Sequence, residues 1–259
     1  MIKTFQLTYD DLVIPCLVTE PDFGSASRVV LGVHGICGCA QDDIQVAISE
    51  EMDMFSSVTV RFDFPAHGES TMADSYFTLK NCVGSLLTVA SWIKDTYPKL
   101  EDLCIFASGF GAYVTLIALN DLYDLPGRIR LVIQTPSVRM DKTLLAMKHL
   151  SKTTLWAMGK TTFRGDYRTL DVPYQFYEEL LENSAMNSYP IPMLILHSED
   201  NAYIDMEDIR NFHRINESSK LVIVQGTSHR FLEPGAWDMV LDLTRDWFDF
   251  EQVLLEDWT

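Results

Sequence analysis

The chain has 259 residues, of which 47% are hydrophobic and 22% charged, and its formal net charge is −17. Length and composition are those of a globular protein with a sizeable core, not of a disordered chain. The negative charge excludes nucleic-acid backbones and anionic membranes as favoured partners, because both repel an acidic surface.

Cysteine usage and the chain start predict a cytoplasmic protein. The five cysteines are odd in number and form no C-x-x-C pair, and no apolar leader follows MIKTFQLTYD. The uncharged stretch 103–119 is interrupted by Ser-Gly-Phe-Gly, which indicates a buried strand and helix rather than a membrane span. His34-x-x-Cys37-x-Cys39 has no second ligand cluster beside it, so we expect neither a metal nor another cofactor.

The predicted elements alternate along the chain. Strand-like runs at 3–9 and 13–19 open it as a hairpin, and from Arg28 onward short β-branched runs alternate with amphipathic ones. The later strands are RVVLGVHG, VTVRFDF, DLCIFAS, RIRLVIQTP, PMLILH and KLVIVQG, and the helices are 43–55, 79–97, 111–122, 206–216 and 236–255. This order predicts an α/β fold with an eight-stranded, mostly parallel sheet flanked by helices.

One segment interrupts the alternation. About fifty-five residues separate the strand ending near Pro136 from the strand starting near Met193, far more than a normal connection. The segment is rich in Leu, Met, Tyr and Phe, with a helical middle at 173–182. We therefore predict a cap insertion at about 138–190.

Polar residues follow the predicted strands, at the edge where open parallel sheets bind ligands. The loops read His34-Gly35, DFPAHGES (63–70), FASGFGAY (106–113), HSEDN (197–201) and GTSHRF (226–231), and they hold four of the six histidines. In order and spacing they resemble the α/β-hydrolase superfamily, near the cinnamoyl and feruloyl esterases and the serine aminopeptidase-like hydrolases. The resemblance implies a single α/β-hydrolase domain over residues 1–259, a cap after the sixth strand and carboxylester hydrolysis.

The same resemblance places the nucleophile position at Gly109, not at a serine. Centred on Gly109, the residues two before and two after are the small Ala107 and Gly111; centring on Ser108 would put phenylalanines there. Glycine also adopts the positive φ of such a turn without strain. We predict a positive φ at Gly109 and a Ser108 side chain directed away from the base.

His229 occupies the base position of the family, and Gly35 precedes the two expected oxyanion donors, the N–H groups of Ile36 and Phe110. The acid position is Asn201, which cannot stabilise an imidazolium and can hold the wrong tautomer. The preceding Asp200, or the more distant carboxylates at positions 205 and 141, could substitute. His34 could anchor the oxyanion loop or take part in catalysis, and Cys37 could be a replacement nucleophile or a buried thiol.

Three functions stay open at this point. His229 could activate water in the space beside Gly109, giving weak or altered hydrolysis of a small ester or other carbonyl substrate. The protein could instead be a pseudoenzyme that binds a neutral, partly apolar small molecule under the cap. In the third alternative, an ordinary esterase recruits Ser108 or Cys37. The sequence identifies neither the ligand nor the oligomeric state.

Overall fold

The computed structural model describes residues 1–21, 27–55, 57–123 and 127–249. Eight strands form one sheet in the order β1-β2-β4-β3-β5-β6-β9-β10. These are β1 (Ile2–Tyr9), β2 (Leu12–Thr19), β3 (Arg28–Val33), β4 (Val58–Phe62), β5 (Asp102–Ser108), β6 (Arg128–Gln134), β9 (Met193–Asp200) and β10 (Ser219–Ser228). The pairs β1–β2 and β2–β4 are antiparallel and all other neighbours are parallel, so the predicted sheet is confirmed.

Helices cover both faces of the sheet because the central strands are buried on both sides. One face carries α2 (Leu79–Thr96), α3 (Phe110–Leu122) and α7 (Met206–Ile215), and the other carries α1 (Asp43–Met54) and α8 (Ala236–Asp249). Side chains of β5 alternate between the two cores, with Ile105 on the first face and Phe106 on the second. All parallel strands therefore end at the same edge, which collects the loops singled out in the sequence.

The long segment between β6 and β9 has more structure than its sequence indicated. It contains α4 (Met140–Lys148), α5 (Lys152–Met158), the antiparallel pair β7 (Lys160–Arg164) and β8 (Thr169–Pro173), and α6 (Tyr174–Glu182). Helix α6 agrees with the predicted helical middle, whereas the hairpin was not predicted. We refer to residues 138–190 as the insertion.

Other predicted boundaries differ little. Helix α3 begins at Phe110, directly after the turn, and not at Gly111. The last helix is described to Asp249, and the predicted continuation to residue 255 lies outside the described residues. Within the described ranges, no helix combines the length and apolar character that a membrane span requires.

Candidate functional site

A tight turn joins β5 to α3 and has Gly109 at its apex. Gly109 has φ 50° and ψ −111°, so the predicted positive φ is confirmed. Its N–H donates to the Gln134 carbonyl (2.9 Å) and its carbonyl accepts from the Ser137 N–H (3.2 Å). The Ser108 hydroxyl donates to Oε1 of Gln134 at 3.2 Å. The one serine of the turn is thus bonded to β6.

Space around the turn explains its glycines. A Cβ added to Gly111 would lie 2.4 Å from the His34 carbonyl oxygen and 2.5 Å from that of Val33, both on the backbone of the neighbouring strand end. A Cβ added to Gly109 would meet nothing within 4 Å. Gly111 is therefore required by packing, whereas the apex has room for a side chain.

We expect Gly111→Ala to lower the free energy of unfolding by about 3 kcal/mol. The added methyl group would clash with backbone atoms at the end of β3, and a backbone cannot move aside as easily as a side chain. Urea unfolding of this variant beside Ala112→Gly, a change of the same size at the next position of α3, measures the effect. If Gly111→Ala destabilises the protein less than the control does, the close approach of α3 to β3 is wrong.

His34 anchors the loop that precedes α1. Its Nε2 accepts from the Phe64 N–H (3.1 Å), so the proton is on Nδ1, which donates to the Gly35 carbonyl (2.7 Å). Burial lowers the pKa of His34 to about 4 and keeps it neutral. These bonds occupy both ring nitrogens, so His34 positions the Gly35–Ile36 backbone and is not a base.

Cys37 does not have the environment of a nucleophile. Burial raises the pKa of its thiol to about 12, so the thiolate is not formed near neutral pH. The expected oxyanion donors belong to two loops that lie close together. Phe110 is the first residue of α3, where N–H groups lack an intrahelical acceptor, and Gly35, next to Ile36, packs against the Ser108 carbonyl.

His229 and Asn201 lie together, and the amide fixes the protonation of the ring. Oδ1 of Asn201 accepts from the N–H groups of Tyr203 (3.1 Å) and Ile204 (3.0 Å). Its Nδ2 therefore faces the Ser198 hydroxyl (2.9 Å) and Nδ1 of His229 (3.0 Å). An amide nitrogen only donates, so Nδ1 accepts and the ring proton is on Nε2. In a catalytic triad the arrangement is reversed, with Nδ1–H donating to a carboxylate and Nε2 free to take a proton.

The surroundings of His229 oppose its protonation. Burial is the main cause, and the positive charge of the adjacent Arg230 adds to it; together they lower the pKa of His229 to about 4. The rings of Tyr203 and His229 pack edge to face, with centroids 5.3 Å apart. His229 is thus a neutral hydrogen-bond donor through Nε2.

The alternative carboxylates have other partners or surroundings. Asp205 caps α7 by accepting from the Glu207 N–H, and Asp141 is paired with Arg139 at 3.1 Å. Asp200 is exposed at the end of β9. The position that contacts Nδ1 of His229 is held by Asn201, as the register of HSEDN indicated.

The turn of the β7–β8 hairpin lies against the candidate site. A Cβ on Gly165 would be 2.4 Å from the Cys37 carbonyl oxygen, and the Tyr167 hydroxyl donates to the Gln41 carbonyl at 3.3 Å. Arg230 pairs with Asp166 of the same turn at 3.1 Å. Sequence reasoning missed these contacts. The signal was R-G-D-Y-R between the β-branched runs KTTF and TLDVP, which is typical of a hairpin.

The structure was also searched for a metal site and for grooves away from the turn. Among the described residues, no group of three His, Cys, Asp or Glu side chains is arranged to hold a metal ion. A groove of about 540 Å³ is lined by Tyr9 of β1, by Val83 and Leu87 of α2, and by Glu179 of α6. Its lining does not include the turn at Gly109.

No protein-family model and no curated protein sequence matches this chain. Solved structures do match. A putative hydrolase from Agrobacterium vitis has a TM-score of 0.82 at 17% identity, covering 96% of this chain and 100% of the other. Est1E from Butyrivibrio proteoclasticus, solved with ferulic acid, has a TM-score of 0.80 at 16% sequence identity, covering 93% of this chain and 96% of Est1E. Mouse alpha/beta hydrolase domain-containing protein 10 has a TM-score of 0.75 at 15% sequence identity, covering 94% of this chain and 97% of the mouse protein. The chain therefore has the α/β-hydrolase fold, as its motifs implied.

Proposed function

We propose that this α/β-hydrolase-fold protein binds a small, partly apolar carbonyl compound beside Gly109 and does not form an acyl-enzyme. The observation that supports this most directly is the hydrogen bond from Asn201 to Nδ1 of His229 (3.0 Å), which places the ring proton on Nε2. The residue at the base position then offers a donor to a ligand and cannot accept a proton from a nucleophile.

The absence of a suitable nucleophile supports the same proposal. Gly109 has no hydroxyl, Ser108 is bonded to Gln134, and the Cys37 thiol stays protonated because burial raises its pKa to about 12. Nucleophilic catalysis requires a hydroxyl or thiol within hydrogen-bond reach of a base. None of these three residues meets that requirement.

Water-mediated hydrolysis is the less favoured function. It needs His229 to take a proton from water, whereas the tautomer inferred from the Asn201 contact presents Nε2–H. Replacing the triad carboxylate by an amide lowers the turnover of a serine protease about 10⁴-fold for this reason. Only the main-chain oxyanion donors would remain, and they can polarise a carbonyl without activating water.

Buried aromatic contacts join the insertion to the turn. Phe110 packs against Phe176 of the insertion, with ring centroids 5.8 Å apart, and Phe176 stacks on Phe77 at 4.5 Å. We propose that the insertion acts as a cap over the ligand. Because Est1E was solved with ferulic acid, phenylpropanoids are reasonable first compounds for a binding screen.

Covalent labelling and turnover test the proposal together. With 4-nitrophenyl butyrate and a fluorophosphonate probe, we expect no adduct by intact-protein mass spectrometry, and a hydrolysis rate that His229→Ala leaves within twofold. Isothermal titration with phenylpropanoids tests binding, and Ser108→Ala is the matched control for the turn. An adduct on Ser108 or Cys37, or a tenfold loss of turnover in His229→Ala, would contradict the proposal.

A further inference from the structure

The groove of about 540 Å³ is bounded by residues of β1, α2, α3 and α6. Helix α2 contributes most of the lining, through residues 79, 80, 83, 84, 87, 88 and 91. From residue 80 onward these positions recur every three or four residues, so they follow one side of the helix over about 16 Å. The volume and the elongated lining are those of a site for a small, extended molecule.

Apolar side chains line the middle of this length. Val83 and Leu87 of α2 and Ile117 of α3 are half-buried and border the groove. The Tyr9 ring packs directly on the α2 backbone, because a Cβ added to Gly84 would lie 2.2 Å from a ring carbon. A ligand that covers these surfaces removes apolar area from water, which favours an apolar chain.

Glu179 of α6 lies at one end of the groove. Its Oε2 accepts from the N–H of Leu79, the first residue of α2, at 2.6 Å. The carboxylate also acts electrostatically on the buried Cys82 thiol and on the Tyr113 hydroxyl, which places it between α2 and α3. Burial raises the pKa of Glu179, and the negative charge of Glu182 adds to this effect.

The negative charge of Glu179 is not balanced by a cation of the protein. Among the residues that the structure describes, no basic side chain forms an ion pair with it. Lys80 lines the same end, but its side chain is exposed, so water and salt screen its charge. A carboxylate that is half-buried and beside a second acid is stabilised by a cation that reaches it.

We propose that this groove binds an elongated apolar molecule that carries a primary ammonium group at one end. The ammonium donates to Oε1 of Glu179, while Oε2 keeps the Leu79 N–H. The apolar chain then lies along α2, and the Tyr9 ring adds an aromatic wall that tolerates a nearby positive charge. Since the lining does not include Gly109 or His229, this site is separate from the one proposed above.

Three probes of equal chain length test the proposal: octylamine, 1-octanol and octanoate. Each is titrated into ¹⁵N-labelled full-length protein at pH 7.5, and the amide signals of Val83, Leu87 and Ser91 are followed. The variant Glu179→Gln removes the charge but keeps an oxygen for the Leu79 N–H. Its matched control is Glu178→Gln, which removes the same charge at the preceding, exposed position outside the lining.

We expect octylamine to bind the native protein at least about tenfold more tightly than octanol, and octanoate to bind most weakly. In Glu179→Gln, octylamine affinity should fall at least about tenfold while octanol affinity stays within twofold of native. Glu178→Gln should leave both within twofold.

Two results would overturn the proposal. If octylamine binds no more tightly than octanol, or if the two variants weaken it equally, the ammonium assignment to Glu179 is wrong. If none of the probes shifts the three amide signals, the groove is not a ligand site. The comparison of probes uses the native protein, so it decides the question even where Glu179→Gln fails to fold.

Discussion

Esterase activity should be gained only when Gly109→Ser and Asn201→Asp are combined. The apex has room for the serine, because a Cβ at position 109 meets nothing within 4 Å. An aspartate at 201 can keep the N–H groups of Tyr203 and Ile204 on one oxygen and accept Nδ1–H of His229 on the other. The ring proton is then on Nδ1, and Nε2 is free to accept the proton of the new hydroxyl. We expect kcat/KM for 4-nitrophenyl butyrate to rise at least about 10³-fold over the native protein.

The single variants separate the effect of the added nucleophile from the effect of the His229 tautomer. In Gly109→Ser the hydroxyl meets a donor, and in Asn201→Asp the base has no nucleophile, so each alone should change kcat/KM less than about tenfold. Serine at the positive φ of the apex should also lower the free energy of unfolding by about 1–3 kcal/mol. Adding His229→Ala to the double variant should abolish the gain. Full activity in Gly109→Ser alone would show that Asn201 does not hold the tautomer.

The turn and the order of elements could be predicted from the sequence because both depend on local patterns. Ala107, Gly109 and Gly111 mark a turn whose two flanking positions admit no bulk, and the contact of Gly111 with the β3 end shows why. Alternating β-branched and amphipathic runs likewise predicted the parallel sheet. These signals are contained in a few neighbouring residues, so no tertiary information was needed.

The protonation of His229 could not be read from the sequence in the same way. The sequence motif placed Asn201 at the acid position. The tautomer of His229, however, depends on which end of the Asn201 amide faces the ring. The direction is set by the backbone N–H groups of Tyr203 and Ile204, and hence by the course of the loop after β9. The contacts of the β7–β8 turn with the Cys37 loop are equally non-local, joining residues far apart in the chain.

Below pH 6.5 we expect the stability of this protein to fall steeply. His34, His67 and His197 are fully buried, and burial lowers their pKa values to about 4, 3 and 4. Each folded-state pKa lies below the unfolded value of about 6.5, so the unfolded chain binds more protons as the pH falls from 6.5 toward 4. At pH 5.5 each histidine lowers the free energy of unfolding by about 1 kcal/mol, so the three together lower it by a few kcal/mol. Domains of this kind are stable by about 5–15 kcal/mol, so the loss is a large share of the total.

Guanidinium unfolding at pH 7, 6 and 5.5 measures this dependence. The carboxyls of the half-buried Asp42 and the buried Asp63 act in the opposite direction, because removal from water raises their pKa values and the folded state takes up their protons first. They offset part of the loss as the pH approaches their own titration.

A variant assigns the effect to particular rings. His197→Leu removes one buried imidazole whose nitrogens have no partner among the described residues. The slope of the free energy of unfolding against pH should therefore fall by the contribution of about one proton. The exposed His149 provides the matched control as His149→Gln, which should leave the slope unchanged. Constant stability from pH 7 to 5.5 would contradict the neutral state of the buried histidines. Burial lowers the pKa of His229 as well, so the same result would also contradict the neutral His229 ring.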